Sequence, residues 1–397
     1  MGRQVSDIRR ENLEKLILEL YKGPKTRREL REAVGVGAST LSYLLSDLQR
    51  MGIIQRKSVI KGRGRPPELV RLLDGAWYTM GIKMGREKIS GVLFGATGSI
   101  LETTSVPIMA SMRSNNGYTK ALEEVLKKLR NRCPHPLAIG VCSSGVVDSG
   151  SHKILYSPVM NVTDLDVSKT VKKAFPNCKL VVMNDVDAVA AYEAFLNPDG
   201  DMLFVSYGVG IGMAYIIRGE VFKPSSMVSA FEFAHTLVSD EGECYCGQKG
   251  CLEYHASEYA VIKRHFKLQD TFVEFVEAEE ERFHNHIEEI RALARESVKS
   301  VKKSYYEPLR ILARALGNLV VLLRPAKIVI FGEGMVADWM VEMLEKHLKE
   351  LFSPKMLGDV KVEWKTDMHL WERGASFNAL KSSINRIIPF PASTKKK

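Results

Sequence analysis

The chain has 397 residues, of which 45% are hydrophobic and 26% are charged, and its formal net charge is +10. This composition is typical of a globular protein of two or three domains and excludes a disordered, collagen-like or disulfide-knotted chain. The most apolar stretch, residues 316–323, is much shorter than the roughly 20 residues that cross a bilayer, so we expect no membrane partner. No apolar segment follows the basic N-terminus, and we therefore expect a cytoplasmic location.

The positive charge is concentrated near the N-terminus. Residues 1–74 contain 16 Lys and Arg against 9 Asp and Glu, whereas the other 323 residues contain 41 against 38. A small basic module beside a nearly neutral body is typical of proteins that bind nucleic acid. A chance excess of charge on a solvated surface is the alternative.

Helical periodicity predicts three helices in this basic module, followed by a hairpin. The second helix begins with a capping box formed by Thr26 and Glu29, and Gly35 and Gly37 mark the turn before the third. Three helices and a basic hairpin predict a winged helix-turn-helix. The predicted helices cover residues 7–22, 26–34 and 38–51, and the strands cover residues 53–56 and 69–72.

The winged helix-turn-helix would contact DNA with two of its elements. The third helix would enter a major groove, and the tip of the hairpin would reach an adjacent minor groove. A helical bundle that mediates protein contacts is the alternative. The predicted contacts are Ser39, Thr40, Ser42 and Tyr43 on the helix and Arg63, Gly64 and Arg65 at the tip.

After residue 77 the sequence changes to strands and helices in the order expected of a two-lobe α/β fold with mixed sheets. The first series of elements reaches about residue 195, and a second series begins at Met202. We therefore predict three domains, residues 1–74, 75–195 and 196–397. The C-terminal helix is expected to return to the first lobe.

Three of the six cysteines fall within eight residues, and a histidine lies nine residues before them. This cluster of Cys244, Cys246, Cys251 and His235 fits one tetrahedral zinc site. Because four protein ligands leave no coordination position open, the zinc would be structural. A disulfide is the alternative, and it is disfavoured in a chain without a signal sequence.

A second group combines carboxylates with an amide. Asn184 and Asp185 directly follow a predicted strand, and Glu232 and Glu253 flank the cysteine cluster. Such side chains can converge on a polyhydroxylated ligand, although each one taken singly is an ordinary surface group. Gly-rich turns at residues 206–212 and 332–334 either cradle phosphates or permit close strand packing.

Together these residues resemble the ROK family (repressors, open reading frames and kinases) over essentially the whole chain. The segment CYCGQKGCLE at residues 244–253 is similar to that family's zinc signature, and His235 to its histidine. The resemblance implies an actin-like, hexokinase-type fold with a sugar between its lobes, and Asp185 at the position of the kinases' catalytic base. The implied sugar contacts are Asn161, Asn184, Asp185, Glu232, His235 and Glu253.

The sequence departs from the kinases of this family at their first phosphate-binding turn. Family kinases have Asp-x-Gly-Gly-Thr there, whereas this chain has Lys83-Met84-Gly85-Arg86-Glu87. Phosphoryl transfer depends on positioning and on neutralising phosphate charge, so we expect no enzyme activity. Phe231 and Ala234 also replace usual glycines beside Glu232, and the winged module is typical of the family's repressors.

These observations predict a sugar-responsive transcriptional repressor of carbohydrate-uptake or catabolism genes. We expect a homodimer or homotetramer that binds operator DNA and releases it when a sugar binds between the lobes. An active ATP-dependent sugar kinase that also carries a DNA-binding domain is the alternative. A regulator whose DNA binding is strengthened by sugar is a third possibility.

Overall fold

The computed structural model describes residues 5–58, 68–223, 231–269 and 280–388, together with residues 271, 272 and 274. Its first part, here called the N-terminal unit, comprises the described residues up to 72 and packs three helices on an antiparallel sheet of order β1-β3-β2. The elements are α1 (Val5–Tyr21), β1 (Lys25–Thr26), α2 (Arg27–Val34), α3 (Ala38–Arg50), β2 (Ile54–Ser58) and β3 (Glu68–Leu72).

The three predicted helices and the hairpin are confirmed, and so is the capping box. The Thr26 backbone N–H donates to the Glu29 carboxylate at 2.6 Å, and the Glu29 N–H donates to the Thr26 hydroxyl at 3.3 Å. Strand β1 is not predicted by periodicity because two residues are too few to show an alternation.

The first lobe is built on a mixed sheet whose five described strands have the order β11-β7-β4-β5-β6. Strands β4, β7 and β11 are parallel, and β5 and β6 extend the sheet in antiparallel fashion. A small antiparallel sheet, β10-β9-β8, follows β7 in the chain. The elements are β4 (Tyr78–Met84), β5 (Lys88–Gly95), β6 (Ile100–Pro107), α4 (Asn115–Arg132), β7 (Ala138–Ser143), β8 (Val146–Asp148), β9 (Lys153–Ser157), β10 (Val162–Asp166), α5 (Val167–Ala174), β11 (Lys179–Asn184) and α6 (Asp185–Leu196).

The second lobe has a mixed sheet of five described strands in the order β14-β13-β12-β15-β16. Its parallel strands are β12, β15 and β16, and helices cover it. The elements are β12 (Met202–Tyr207), β13 (Ile211–Ile217), β14 (Glu220–Val221), α7 (Leu252–Ala256), α8 (Glu258–Phe266), α9 (Glu280–Arg295), α10 (Lys299–Leu323), β15 (Lys327–Phe331), α11 (Asp338–Leu351), α12 (Pro354–Leu357), β16 (Lys361–Trp364) and α13 (Leu370–Lys381).

Helices α6 and α13 lie between the two large sheets. The apolar side of α6 packs against the second-lobe sheet, where Val189 and Ala190 share a buried cluster with Phe204 and Ile216. Helix α13 packs against β4 and β7 of the first lobe and against α6. The two lobes therefore meet across a pair of helices rather than sheet to sheet.

Two paired glycines permit the close approach of α13 to the first lobe. Gly81 of β4 and Gly140 of β7 are register partners. A Cβ at these positions would lie 1.8 and 1.9 Å from the carbonyl oxygens of Glu372 and Ala375. Any side chain there would collide with the backbone of α13, so the glycines fix where this helix can lie.

No helix within the described parts of the chain is long and apolar enough to cross a membrane.

Candidate functional site

A cleft of about 1140 Å³ separates the two lobes and contains five of the six predicted sugar contacts. Asn184 and Asp185 enter it from the end of β11, and Glu232, His235 and Glu253 enter it from the second lobe. Because both lobes contribute to the lining, a change in the angle between the lobes changes the distances among these groups.

The sixth predicted contact, Asn161, is not among the residues that line this cleft. Its backbone lies in the left-handed region at φ 52°, at the end of a short 3-10 turn. The Asn161 side-chain amide donates to the backbone carbonyl of Arg113 at 3.1 Å. The structure therefore does not bring Asn161 together with the other five residues.

Asn184 caps the first turn of α6. Its Oδ1 accepts hydrogen bonds from the backbone N–H groups of Val186 at 2.9 Å and Asp187 at 3.2 Å. Its amide nitrogen donates to the carbonyl of Gly145 at 3.1 Å. These bonds hold Asn184 rigidly and place Asp185, the first residue of α6, beside the cleft.

The Asp185 carboxylate forms an ion pair with the ammonium of Lys83, and both side chains are largely buried. Lys83 Nζ also lies 5.0 Å from the centroid of the Trp371 ring. Burial, the largest single influence, would lower the pKa of Lys83, but the attraction and hydrogen bond of Asp185 together with the charge of Glu333 and the nearby Cys142 raise it overall. Lys83 therefore stays positively charged beside Asp185.

The chain turns sharply after Lys83. The Gly85 N–H donates to the Lys88 carbonyl at 3.0 Å, and the Tyr118 hydroxyl donates to the Gly85 carbonyl at 3.1 Å. Within this turn, burial and the nearby charge of Glu333 raise the pKa of Glu87. The turn therefore places Arg86 and Glu87 in the lining of the cleft.

The two Gly-rich turns of the second lobe pack against each other. The Gly334 N–H donates to the Tyr207 carbonyl at 3.0 Å. A Cβ at Gly334 would lie 2.8 Å from the Gly208 Cα and 2.6 Å from the carboxyl carbon of Glu258. Close packing, one of the two explanations that the sequence left open, therefore accounts for Gly334.

Glu253 is a buried carboxyl group whose two oxygens both accept hydrogen bonds. The Tyr245 hydroxyl donates to Oε1 at 2.7 Å, and the Ile211 backbone N–H donates to Oε2 at 2.8 Å. Burial raises the pKa of Glu253 to about 7, although both hydrogen bonds act in the opposite direction. The orientation of this carboxyl group thus depends on Tyr245, which lies between two cysteines of the predicted metal site.

The four predicted metal ligands lie together. One donor atom each from His235, Cys244, Cys246 and Cys251 falls within 4.8 Å of the others, so the cluster could hold a metal ion. Cys246 Sγ lies 3.6 Å from Cys251 Sγ, and Cys244 Sγ lies 3.7 Å from His235 Nδ1. A tetrahedral zinc with bonds of about 2.3 Å separates its ligands by roughly 3.7 Å, so the donor set fits zinc.

His235 presents its two ring nitrogens to different neighbours. Nδ1 faces Cys244, and Nε2 lies 3.9 Å from the Glu232 carboxylate. The Glu232 side chain is 62% exposed, so it is the most solvated of the acidic groups at this end of the cleft. The geometry is compatible with both predicted roles of His235, since metal binding by Nδ1 leaves Nε2 facing the cleft.

The outer face of α3 carries most of the predicted helix contacts to DNA. Ser39, Thr40 and Tyr43 are exposed, and Tyr43 shows 75% of its surface. Ser42 is half-buried, and its hydroxyl donates to the Ala38 carbonyl at 2.9 Å and accepts from Arg27. The predicted contacts of the hairpin tip, Arg63, Gly64 and Arg65, lie outside the described residues.

A sequence profile of the ROK family matches residues 79–367, which is more than half of the chain. The chain belongs to the ROK family. A xylose repressor from Bacillus spizizenii is 27% identical over 275 residues, which are 64% of this chain and 68% of that protein.

Two solved ROK structures resemble this one. A transcriptional regulator described as a homologue of the E. coli MLC protein matches 96% of this chain and 99% of its own, with a TM-score of 0.73 and 20% identity. A glucokinase from Streptomyces griseus matches 76% of this chain and 99% of its own, with a TM-score of 0.60 and 22% identity. These likenesses concern the fold and confirm the expected two-lobe, actin-like ATPase architecture.

Two cleft residues of this ROK protein were not predicted from the sequence. No local sequence pattern predicts that Lys83 pairs with Asp185, although the presence of a lysine at position 83 is visible in the sequence. Tyr245 could have been suspected from its place between Cys244 and Cys246, because a residue in a metal loop is held close to its neighbours.

Proposed function

We propose that this ROK protein is a sugar-responsive transcriptional repressor without kinase activity. The observation that carries the proposal is the Lys83–Asp185 ion pair, in a chain whose N-terminal unit also has a third helix with one exposed, polar face. The curated relative named xylose repressor supports the same function.

The ion pair argues against phosphoryl transfer in two ways. A catalytic base must accept a proton from the sugar hydroxyl, and the Asp185 carboxylate is instead directed at an ammonium group. Lys83 also stands where the family's kinases carry an acid that handles phosphate and metal, so magnesium would meet a positive charge. The retained Asp185 is the observation that favours a kinase, and an ADP-release assay across several sugars tests it.

We propose that the N-terminal unit is a winged helix-turn-helix, corresponding to residues 1–74, and that it binds operator DNA. The support is the order of its elements, the basic charge of this segment and the exposed face of α3. Half-sites related by two-fold symmetry would be read by two copies in a homodimer or homotetramer. The predicted wing arginines, Arg63 and Arg65, would add contacts beside the major groove.

The sugar would bind in the cleft between the proposed lobes, residues 75–195 and 196–397. Asn184, Asp185, Glu232, His235 and Glu253 supply hydrogen-bond acceptors and donors for vicinal hydroxyls. Asn161 could contact the sugar only if its turn moved and the hydrogen bond to the Arg113 carbonyl were broken.

The metal site would hold a structural zinc ion. Three thiolates and an imidazole complete a tetrahedral shell, which leaves no position for a substrate. The zinc would hold the segment from Cys244 to Cys251 against His235. This segment in turn carries Tyr245, which holds the buried carboxyl group of Glu253.

The test is selection of genomic DNA fragments on the immobilised full-length protein, followed by elution with D-xylose, D-glucose, N-acetyl-D-glucosamine or D-mannose. A repressor enriches a palindromic site and loses it to one of these sugars. The Asp185→Asn variant should enrich the same site but require more sugar for release. Absence of enrichment at moderate salt would overturn the proposal, and stronger retention with sugar would show that sugar acts as a corepressor.

A further inference from the structure

We infer that helices α6 and α13 transmit the sugar state of the cleft to the N-terminal unit through an aromatic junction formed by Tyr21, Tyr192, Phe195 and Phe377. The inference rests on the proposed function and names the route by which the sugar site regulates the DNA contact. Each helix has one end at the cleft and the other at the N-terminal unit, and the two helices are in close contact with each other.

Both helices begin at the cleft. Asp185 is the first residue of α6, and Asn184 caps that helix. Trp371, in the first turn of α13, lies beneath the ammonium of Lys83 at 5.0 Å. A ligand that contacts Asp185 therefore acts on the first turn of α6 directly and on the first turn of α13 through Lys83.

Both helices also reach the N-terminal unit. Phe195, near the end of α6, stacks on Phe377 of α13 with ring centroids 4.5 Å apart. Tyr21, the last residue of α1, lies 5.9 Å from the Phe377 ring and 6.3 Å from the Phe195 ring. Lys22 Nζ adds a contact 4.8 Å from the Phe195 centroid.

The two helices are joined tightly enough to move together. A Cβ at Gly374 of α13 would lie 2.6 Å from the carbonyl oxygen of Ala188 in α6, so the backbones are in close contact. The Asn378 side-chain amide donates to the same carbonyl at 3.1 Å. A displacement at the cleft end is therefore shared by both helices at the junction.

The junction belongs to the hydrophobic core of the N-terminal unit rather than to a separate surface contact. Phe377, Leu380 and Ile384 share one buried cluster with side chains of α1, α2 and α3. Close-packed interiors respond to displacement by discrete repacking rather than by gradual deformation. A shift of α6 and α13 would therefore change the orientation of the N-terminal unit on the body.

The distance from the cleft to the aromatic junction is short for coupling between two binding sites. Ten residues separate Asp185 from Phe195, which corresponds to about 15 Å of helix. An ordinary coupling between two sites changes affinity by roughly 5- to 150-fold. In the wild type we expect the eluting sugar to weaken operator binding within this range.

The experiment measures three affinities on the full chain carrying Phe195→Ala. These are the affinity for the eluting sugar of the four-sugar panel, and the affinities for the selected DNA fragment without and with that sugar. The sugar and sugar-free DNA affinities should stay within about twofold of wild type, because Phe195 lies at neither site. The sugar-induced loss of DNA affinity should fall to less than about twofold.

The matched control is Phe352→Ala, which removes another half-buried phenylalanine at the end of a helix, packed against Gly317 in the second lobe. It should keep the full sugar response. Phe195→Leu, which keeps an apolar side chain without the ring, provides a second variant if Phe195→Ala unfolds, and it should also lose most of the response.

The experiment distinguishes a wrong transmission route from a wrong repressor function. If folded Phe195→Ala and Phe195→Leu both respond to sugar as the wild type does, the transmission route is wrong and the repressor function stands. An equal loss of response in Phe352→Ala would also overturn the route, because the effect would then be general destabilisation. If no sugar of the panel changes the affinity of the wild type for DNA, the proposed function fails and the inference fails with it.

Discussion

Lys83 and Asp185 are 102 positions apart in the chain, and their side chains form an ion pair in the lining of the interlobe cleft. The pair explains why an aspartate is kept at the position of the kinases' catalytic base in a protein that we propose to be a regulator. The carboxylate serves as the partner of a buried ammonium group, so replacement of either residue leaves an unpaired charge.

We therefore predict that Lys83→Met destabilises the protein. Loss of the ammonium leaves the Asp185 carboxylate buried without its partner, which costs about 3 kcal/mol in the free energy of unfolding. The double variant Lys83→Met/Asp185→Asn should recover most of that loss, because it has no unpaired charge. Urea denaturation of the single and double variants measures both values, and equal stability of Lys83→Met and wild type would contradict the ion pair.

Cys246 provides a test of the metal site that spares the hydrophobic core, because this cysteine is exposed whereas Cys244 and Cys251 are buried. Cys246→Ser should lose most of the bound zinc measured by mass spectrometry of metals, since a hydroxyl is a poor zinc ligand. Cys178→Ser, which changes a half-buried cysteine outside the cluster, should keep its zinc. Wild-type protein purified without any zinc would show that the four-ligand site is wrong.

The hydroxyl of Tyr245 should contribute to sugar affinity through Glu253. Tyr245→Phe removes one of the two hydrogen bonds that orient the carboxyl group, and we expect sugar affinity to fall about tenfold. Calorimetric titration with the eluting sugar measures the change, and the metal content should be unchanged.

Tyr254→Phe is the matched control, because Tyr254 packs on the same neighbour, Phe272, and lies next to Glu253 in the chain. This variant should bind sugar as the wild type does. If Tyr245→Phe also bound sugar with full affinity, Glu253 would not need the tyrosine for its orientation.

Local sequence patterns predicted the features that are formed by residues close together in the chain. The capping box of Thr26 and Glu29 needs residues three apart, and the metal cluster needs cysteines within eight residues and one nearby histidine. Strand ends likewise placed Asn184 and Asp185 beside the cleft, because β11 leads directly into α6.

Features that depend on distant residues were not predictable in this way. The Lys83–Asp185 pair and the stacking of Phe195 on Phe377 join segments that only the tertiary fold brings together. Asn161 shows that a family motif can also mislead. The resemblance implied a sugar contact, but the turn directs the Asn161 amide to the Arg113 carbonyl. A motif fixes the residue type and not the direction of a side chain in a particular loop.

The exposed face of α3 yields the last prediction, which concerns DNA alone. Tyr43→Ala removes the exposed aromatic side chain of this helix, and we expect operator affinity to fall by about 1–2 kcal/mol, or roughly tenfold. Sugar affinity should not change, because Tyr43 is not part of the cleft lining. Tyr306→Ala is the control, because Tyr306 is also exposed but belongs to α10 of the second lobe. Fluorescence anisotropy with the selected fragment measures both variants, and equal losses in the two would show that α3 does not form the DNA contact.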